Sequence, residues 1–205
     1  MFRLTLKLTT GILAALPALV LAAPVYVEYD TSVVDYCNCD GTGYHPGQRV
    51  AGWLKIDTDR APPDRNSTPD PTRQIHSQYW MPNGPDFISG IGGPGIPLLG
   101  WDNSDEVQVI DDSGRFGFQG FALWDYSKNR GRPGATIVEM QLHSEDRVDD
   151  FIHGKGIAQS FDSKDLKGDL TFVGRITTQL KGVRHSIDLV LNRFSVTPGH
   201  CRAPG

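Results

Sequence analysis

Apolar and polar residues alternate with a period of two along most of this chain. In "RVAGWLKID" (49–57), Val50, Gly52, Leu54 and Ile56 fall on one face, and Ala51, Trp53 and Lys55 on the other. "ATIVEMQL" (135–142) sets Val138, Met140 and Leu142 opposite Glu139 and Gln141, and "HSIDLVLNRFSV" (185–196) aligns Ile187, Leu189 and Leu191 in the same way. Runs of this kind read as strands with one buried and one wet face, as in an antiparallel sheet. Further strands are predicted at "VYVEY" (25–29), "EVQVID" (106–111), "RFGFQGFALW" (115–124), "GIAQSF" (156–161) and "DLTFVGRITTQL" (169–180). Asp111, Asp112, Ser113 and Gly114 separate two apolar runs in "VIDDSGRFGF", which predicts a hairpin because glycine takes positive φ at the turn. Stripes of helical period are short, and only 143–152 and 160–168 are expected to hold a turn or two of helix. The expectation is an all-β domain, a single antiparallel β-sandwich of jelly-roll or immunoglobulin-like type, with a barrel as the runner-up.

Two stretches break the alternation. "DTDRAPPDRNSTPDPTR" (57–73) is polar and proline-rich, and "MPNGPDFISGIGGPGIPLLG" (81–100) is rich in glycine and proline. Loops this long in a compact domain are usually functional, so a contact surface is expected there first. Asn66-Ser67-Thr68 also fits the glycosylation sequon.

The first residues change the picture of where the chain goes. Arg3 and Lys7 precede an apolar stretch from Leu8 to Leu21 that ends in Ala22 and Ala23, the pattern of an export signal. Thr9, Thr10, Gly11 and Pro17 interrupt the run, and it is shorter than the roughly 20 apolar residues that span a bilayer. We therefore expect a signal peptide over 1–23, a single domain over 24–205, a secreted or periplasmic location and no transmembrane segment after cleavage. Loss of Arg3 and Lys7 takes the formal net charge from −4 to −6, and no basic patch remains, so nucleic acid is not an expected partner.

Candidate chemistry is sparse. Gly90, Gly92 and Gly95 match G-x-G-x-x-G, but Pro94 and Pro97 stand where the phosphate-binding helix has to start. The six histidines never stand two or four residues apart, and no H-E-x-x-H, G-x-S-x-G or S-x-x-K occurs. Acidic groups in 57–59, 102–106, 111–112 and 144–150 make Ca²⁺ a cofactor to consider, although none has the spacing of a twelve-residue calcium loop. A small secreted hydrolase acting on polysaccharide is the alternative of another class, with Glu28, Glu139 or a histidine as its centre and Glu106 at a strand start. Trp53, Trp80, Trp101 and Trp124, with Tyr44, Tyr79 and Tyr126, are able to supply a sugar-stacking platform. Trp80 and Trp101 flank the glycine-rich loop and are the expected ligand-binding pair, with a glycan or cell-surface component as the partner.

The three cysteines are Cys37 and Cys39 in "DYCNCDG" and Cys201 in "GHCRAPG". Export makes a disulfide the default, and Cys201 with either Cys37 or Cys39 is the expected pairing, because a Cys37–Cys39 bridge closes a very small ring. The alternative is a periplasmic Zn²⁺ or Cu⁺ site of Cys37, Cys39, His200 and Cys201, although both pairs are tighter than the usual C-x₂₋₄-C.

"GQRVAGWLKIDTDRAP" (47–62) and "SIDLVLNRFSVTP" (186–198) resemble the opening and closing strands of exported β-sandwich proteins that carry a PEP-CTERM sorting tag. In that group a V-x-G-x-L-x-I-D strand follows the signal, and a strand ending in S-V-T-P leads into Pro-Glu-Pro, a short membrane helix and basic residues. The resemblance implies export and a β-sandwich. It carries over no catalytic residue, and "GHCRAPG" lacks the tag. Together these readings predict a secreted or envelope-associated binding or extracellular-matrix module, more plausibly not an enzyme.

Overall fold

A computed structural model of the chain describes residues 23–35, 39, 41–65, 76–84, 87–90, 103–112, 118–127, 135–144, 150–154, 156–180 and 183–199. The described residues are all-β, with no helix among them. The strands are β1 (Val25–Val33), β2 (Arg49–Ile56), β3 (His76–Gly84), β4 (Ile88–Gly90), β5 (Asn103–Asp112), β6 (Phe118–Ser127), β7 (Ala135–Ser144), β8 (Phe161–Asp162), β9 (Leu170–Leu180) and β10 (Val183–Pro198).

All ten belong to one antiparallel sheet, ordered β3-β5-β6-β7-β9-β10-β1-β2-β4, with β8 pairing off this path onto β10. The sheet curls into a half-barrel. The strand pairing does not confirm the expected sandwich of two stacked sheets, and the curvature is nearer to the barrel. The physical reason lies in the inner face, where one continuous row of apolar residues from every long strand converges on one core. Val107, Leu123, Met140, Gly174 and Leu189 stand in register across five strands, as do Leu54, Val27 and Val196 across three. Except for Gly174, all of these belong to the buried apolar core, and Phe121, Phe194, Ile176 and Ile187 fill the space between the rows. A Cβ at Gly174 would run into the Phe172 ring, which would have to move to admit any side chain there.

The predicted alternation holds in detail. Val50, Gly52, Leu54 and Ile56 are buried while Ala51, Trp53 and Lys55 are half-buried on the other face. β5 and β6 pair as expected, but Asp111 and Asp112, read as turn residues, are the end of β5 opposite Gln119 and Phe118. Other elements differ from expectation. β3 and β4 lie within stretches read as a loop or left unassigned, and most of "GIAQSF" is not strand, since only Phe161 of it enters β8. The described part of 160–168 is a strand end followed by a turn and not helix.

The open side of the half-barrel is closed by chain that lies mostly outside the main strands, entering the sheet only through the short β8 and β4. The 150–161 segment sends Phe151, Ile152, Ile157 and Phe161 into the core, where Phe161 lies against Phe151, Phe121 and Phe194 with ring centroids 5.0, 6.0 and 6.2 Å apart. Two fully buried amides hold its backbone. Gln119 of β6 accepts from the Phe151 N–H (2.8 Å) and donates to Asp150, and Gln159 accepts from the His153 N–H (2.8 Å) and donates to the Gly156 carbonyl. At the other gap, Phe87 and Ile88 join β3 to β4. Their N–H groups both donate to Oδ2 of Asp105 on β5, at 2.7 and 2.8 Å, and the backbone N–H of Asp57, just after β2, donates to the Phe87 carbonyl. Asp105 is 2% exposed. One carboxylate thus ties the strand at the far end of the path to a strand near its beginning.

Replacing Asp105 with alanine leaves two buried N–H groups without that acceptor, and charged hydrogen bonds are each worth roughly 1.5–3 kcal/mol. We expect Asp105→Ala to lower unfolding stability by about 3 kcal/mol, read as a shifted urea midpoint. A loss of less than about 0.5 kcal/mol would mean that the seam is held by packing alone.

Candidate functional site

The period that fills the core also sets the outer face. On that face Trp80 of β3, Glu106 of β5, Trp124 of β6, Glu139 of β7, Arg175 of β9 and Asp188 of β10 are successive register partners, forming one row across six strands. Adjacent strands are about 4.8 Å apart, so the two indoles stand on backbone roughly 9.5 Å apart with a carboxylate between them. All six side chains are partly exposed.

Glutamine amides line this row. Gln78 and Gln108 both donate to Oε1 of Glu106, at 2.7 and 2.6 Å, and the Gln141 amide donates to Glu139. At the β3 end the Arg65 guanidinium lies 4.3 Å from the Trp80 ring centroid and covers one face of the indole. The 64–65 segment is fixed there by its own backbone, since Arg65 N–H donates to the Gln78 carbonyl and Gln78 N–H to the Asp64 carboxylate. At the other end Arg175 donates to Asp188 at 2.8 Å. That bond, with the charges of Asp188 and Glu139, raises the guanidinium pKa further.

A second polar cluster lies on the outer face of β1, β8 and β10. Arg193 meets Glu28 at 2.9 Å and Asp162 at 2.6 Å, and Arg49 meets Asp30 at 2.9 Å. For Asp162, burial pushes the pKa upward, but bonds from Arg193 and the Lys164 N–H, with their charges, bring it below the usual carboxylate value. The bond from Arg49 is the main cause that lowers Asp30.

Of the residues singled out from sequence, Trp80 stands in the row, whereas Trp101 lies outside the described residues. Trp124, one of the aromatic residues considered for a stacking platform, is the second indole of the row. Glu28 and Glu139 are not a pair: β9 and β10 separate their strands, and three spacings of about 4.8 Å exceed the 5–9.5 Å of a glycosidase pair. Glu28 is also ion-paired, and its partner on β10, Ser195, is remote from the Asp188 end of the row. The acidic groups considered for Ca²⁺ have structural duties where they are described: Asp57 pairs with Arg60, Asp105 closes the seam, Asp111 accepts from the Gly154 N–H and Asp150 from Gln119. No group of three or more His, Cys, Asp or Glu gathers as a metal set among the described residues. Gly90 ends β4, while Gly92, Gly95 and the sequon lie outside the description.

Cys37, His200 and Cys201 also lie outside the described residues. Cys39 is buried against the core, and its carbonyl accepts from the Thr42 N–H and hydroxyl. It follows the end of β1 at Val33, whereas β10 ends opposite Val25 at the start of that strand. A nine-residue strand holds those ends about 26 Å apart.

No family model matches the chain, and neither curated proteins nor solved structures give a match.

Two measurements follow from this geometry. Non-reducing peptide mapping is expected to recover Cys39 in a cross-linked peptide, and alkylation of Cys39 before reduction would contradict that. Because Asp30 and Asp162 titrate below their unfolded values, their contribution is complete above the ordinary carboxylate pKa and is lost as pH falls through the folded ones. The urea midpoint is expected to drop between pH 5 and pH 3, and Asp162→Asn to flatten part of that drop; an unchanged slope in the variant would remove the Arg193 cluster as a cause.

Proposed function

We propose that the protein is an exported binding module that presents the outer face of its curled sheet to a polysaccharide or other cell-surface component. The observation that carries this reading is the row in which Trp80 and Trp124 flank Glu106, with Gln78 and Gln108 bonded to the carboxylate. Aromatic rings half-exposed on rigid strands give contact area at low entropic cost, and the amides and carboxylates beside them supply directional hydrogen bonds. The leader-like N-terminus, the resemblance to PEP-CTERM-tagged exported proteins and the acidic balance support an extracellular or envelope setting with an uncharged partner. A binding role is favoured over hydrolysis because the carboxylates of the row are engaged by neighbouring amides and arginine, and among the described residues no nucleophile–base set accompanies them.

The test is retention of the exported protein on insoluble polysaccharides, namely cellulose, chitin and purified peptidoglycan, with reducing-sugar release measured on the same samples. Retention on at least one of them that falls in the Trp80→Ala, Trp124→Ala double variant is the expected result. Undiminished retention in that variant would remove the row from the proposal, and sugar release would move the protein to the hydrolases.

A further inference from the structure

We infer that the site between Trp80 and Trp124 takes a flat, unbranched chain of β-1,4-linked, equatorially substituted pyranoses lying across the strands, three sugars wide; this rests on the binding reading above. The argument begins with spacing. The two indoles occupy alternate strands, about 9.5 Å apart on the backbone, with β5 between them. A β-1,4-linked pyranose advances its chain by close to one strand spacing, so sugars over β3, β5 and β6 are successive residues. In a chain with a two-fold screw, alternate residues present the same face to a surface. Trp80 and Trp124 therefore meet like faces of the first and third sugar, while the middle sugar, turned over, faces Glu106.

The chemistry at each position fits that order. Equatorial substitution leaves axial C–H bonds on both ring faces, an apolar surface suited to an indole. The middle position has a carboxylate that accepts hydrogen bonds only, and two of its acceptor positions are already filled by Gln78 and Gln108. Those amides fix the carboxylate before a ligand arrives, so vicinal hydroxyls meet a preorganised acceptor. A carboxylate at the centre also disfavours a uronic or sulfated chain, because an anionic sugar would be held against it. Arg65 covers one face of Trp80 and limits the row at the β3 edge, so the chain uses the uncovered side of the ring and extends toward β7. An α-1,4-linked chain coils and cannot place alternate residues on two rings in one plane.

The test is isothermal titration calorimetry of the exported protein with cellohexaose, maltohexaose and hexagalacturonate. Cellohexaose is expected to bind, cellobiose to bind far more weakly because it reaches only one indole, and the α-linked and anionic hexamers to give no heat. Trp80→Ala and Trp124→Ala are each expected to weaken cellohexaose binding about tenfold. The corresponding phenylalanine variants keep part of the affinity, which separates lost stacking from misfolding, and a thermal melt of each variant checks the fold. Equal affinity for maltohexaose, or wild-type affinity in both folded alanine variants, would overturn the inference. If cellohexaose gives no heat while tryptophan-dependent retention on an insoluble polysaccharide persists, the chain geometry is wrong and the binding reading stands. If neither property depends on the tryptophans, both fall.

Discussion

The structure depends on closing the open side of a curled, one-sided sheet. A half-barrel whose inner face carries Val27, Leu54, Leu123, Met140 and Ile176 exposes that face unless something covers it, and exposed apolar surface costs about 25 cal/mol per Å². Two pieces of chain do so. The 150–161 segment brings in Phe151, Ile152, Ile157 and Phe161, and the Phe87–Ile88 connection brings in two more large side chains. Each joins the sheet only through a very short strand, β8 or β4, so the rest arrives with backbone N–H and carbonyl groups that lack ladder partners. Gln119, Gln159 and Asp105 supply acceptors to those N–H groups, and buried hydrogen bonds of this kind favour one arrangement of the plug.

The same constraint fixes the outer face. Side chains alternate along a strand, so a register that brings Val107, Leu123 and Met140 together on the inside places residues one step away in line on the outside. Glu106, Trp124 and Glu139 are those residues, and Trp80 joins them because Tyr79 pairs with Val107. The row is thus a consequence of the core. A slip of one residue anywhere between β3 and β7 would turn the tryptophans inward and the valines and leucines out. The outer face inherits the rigidity of the packed interior beneath it, which suits a surface that binds without rearranging.

Charge is distributed in keeping with this division. The strong ion pairs, Arg193 with Glu28 and Asp162 and Arg49 with Asp30, gather around β1, β8 and β10, where β10 carries a bulge opposite Asp30 and Thr31 and β8 pairs over only two residues. Around Trp80 and Trp124 the hydrogen bonding is mostly from amides to carboxylates, and Arg65 and Arg175 mark positions at or beyond its two ends.

Period-two alternation by itself determined the strand class, the inward residues of β2, β7 and β10 and the β5–β6 hairpin, because each is a local property of a few consecutive residues. The same patterning carried Trp124 outward, but its alignment with Glu106 comes from the register of β5 on β6, which the turn expected over 111–114 does not give. What local pattern does not carry is which distant strands meet. β3 and β4 read as loop because Pro82, Gly84 and Gly90 dilute their alternation, yet β3 pairs with β5 and β4 with β2 at opposite ends of the sheet. The same holds for Asp105, which the sequence offers as one more acidic residue in a turn-like cluster and the fold buries as the acceptor that closes the seam. Pairing between strands far apart in the chain is settled only when all the inner faces compete for one core. The choice between two stacked sheets and one curled sheet, and with it the row from Trp80 to Glu139, was therefore made by the tertiary structure.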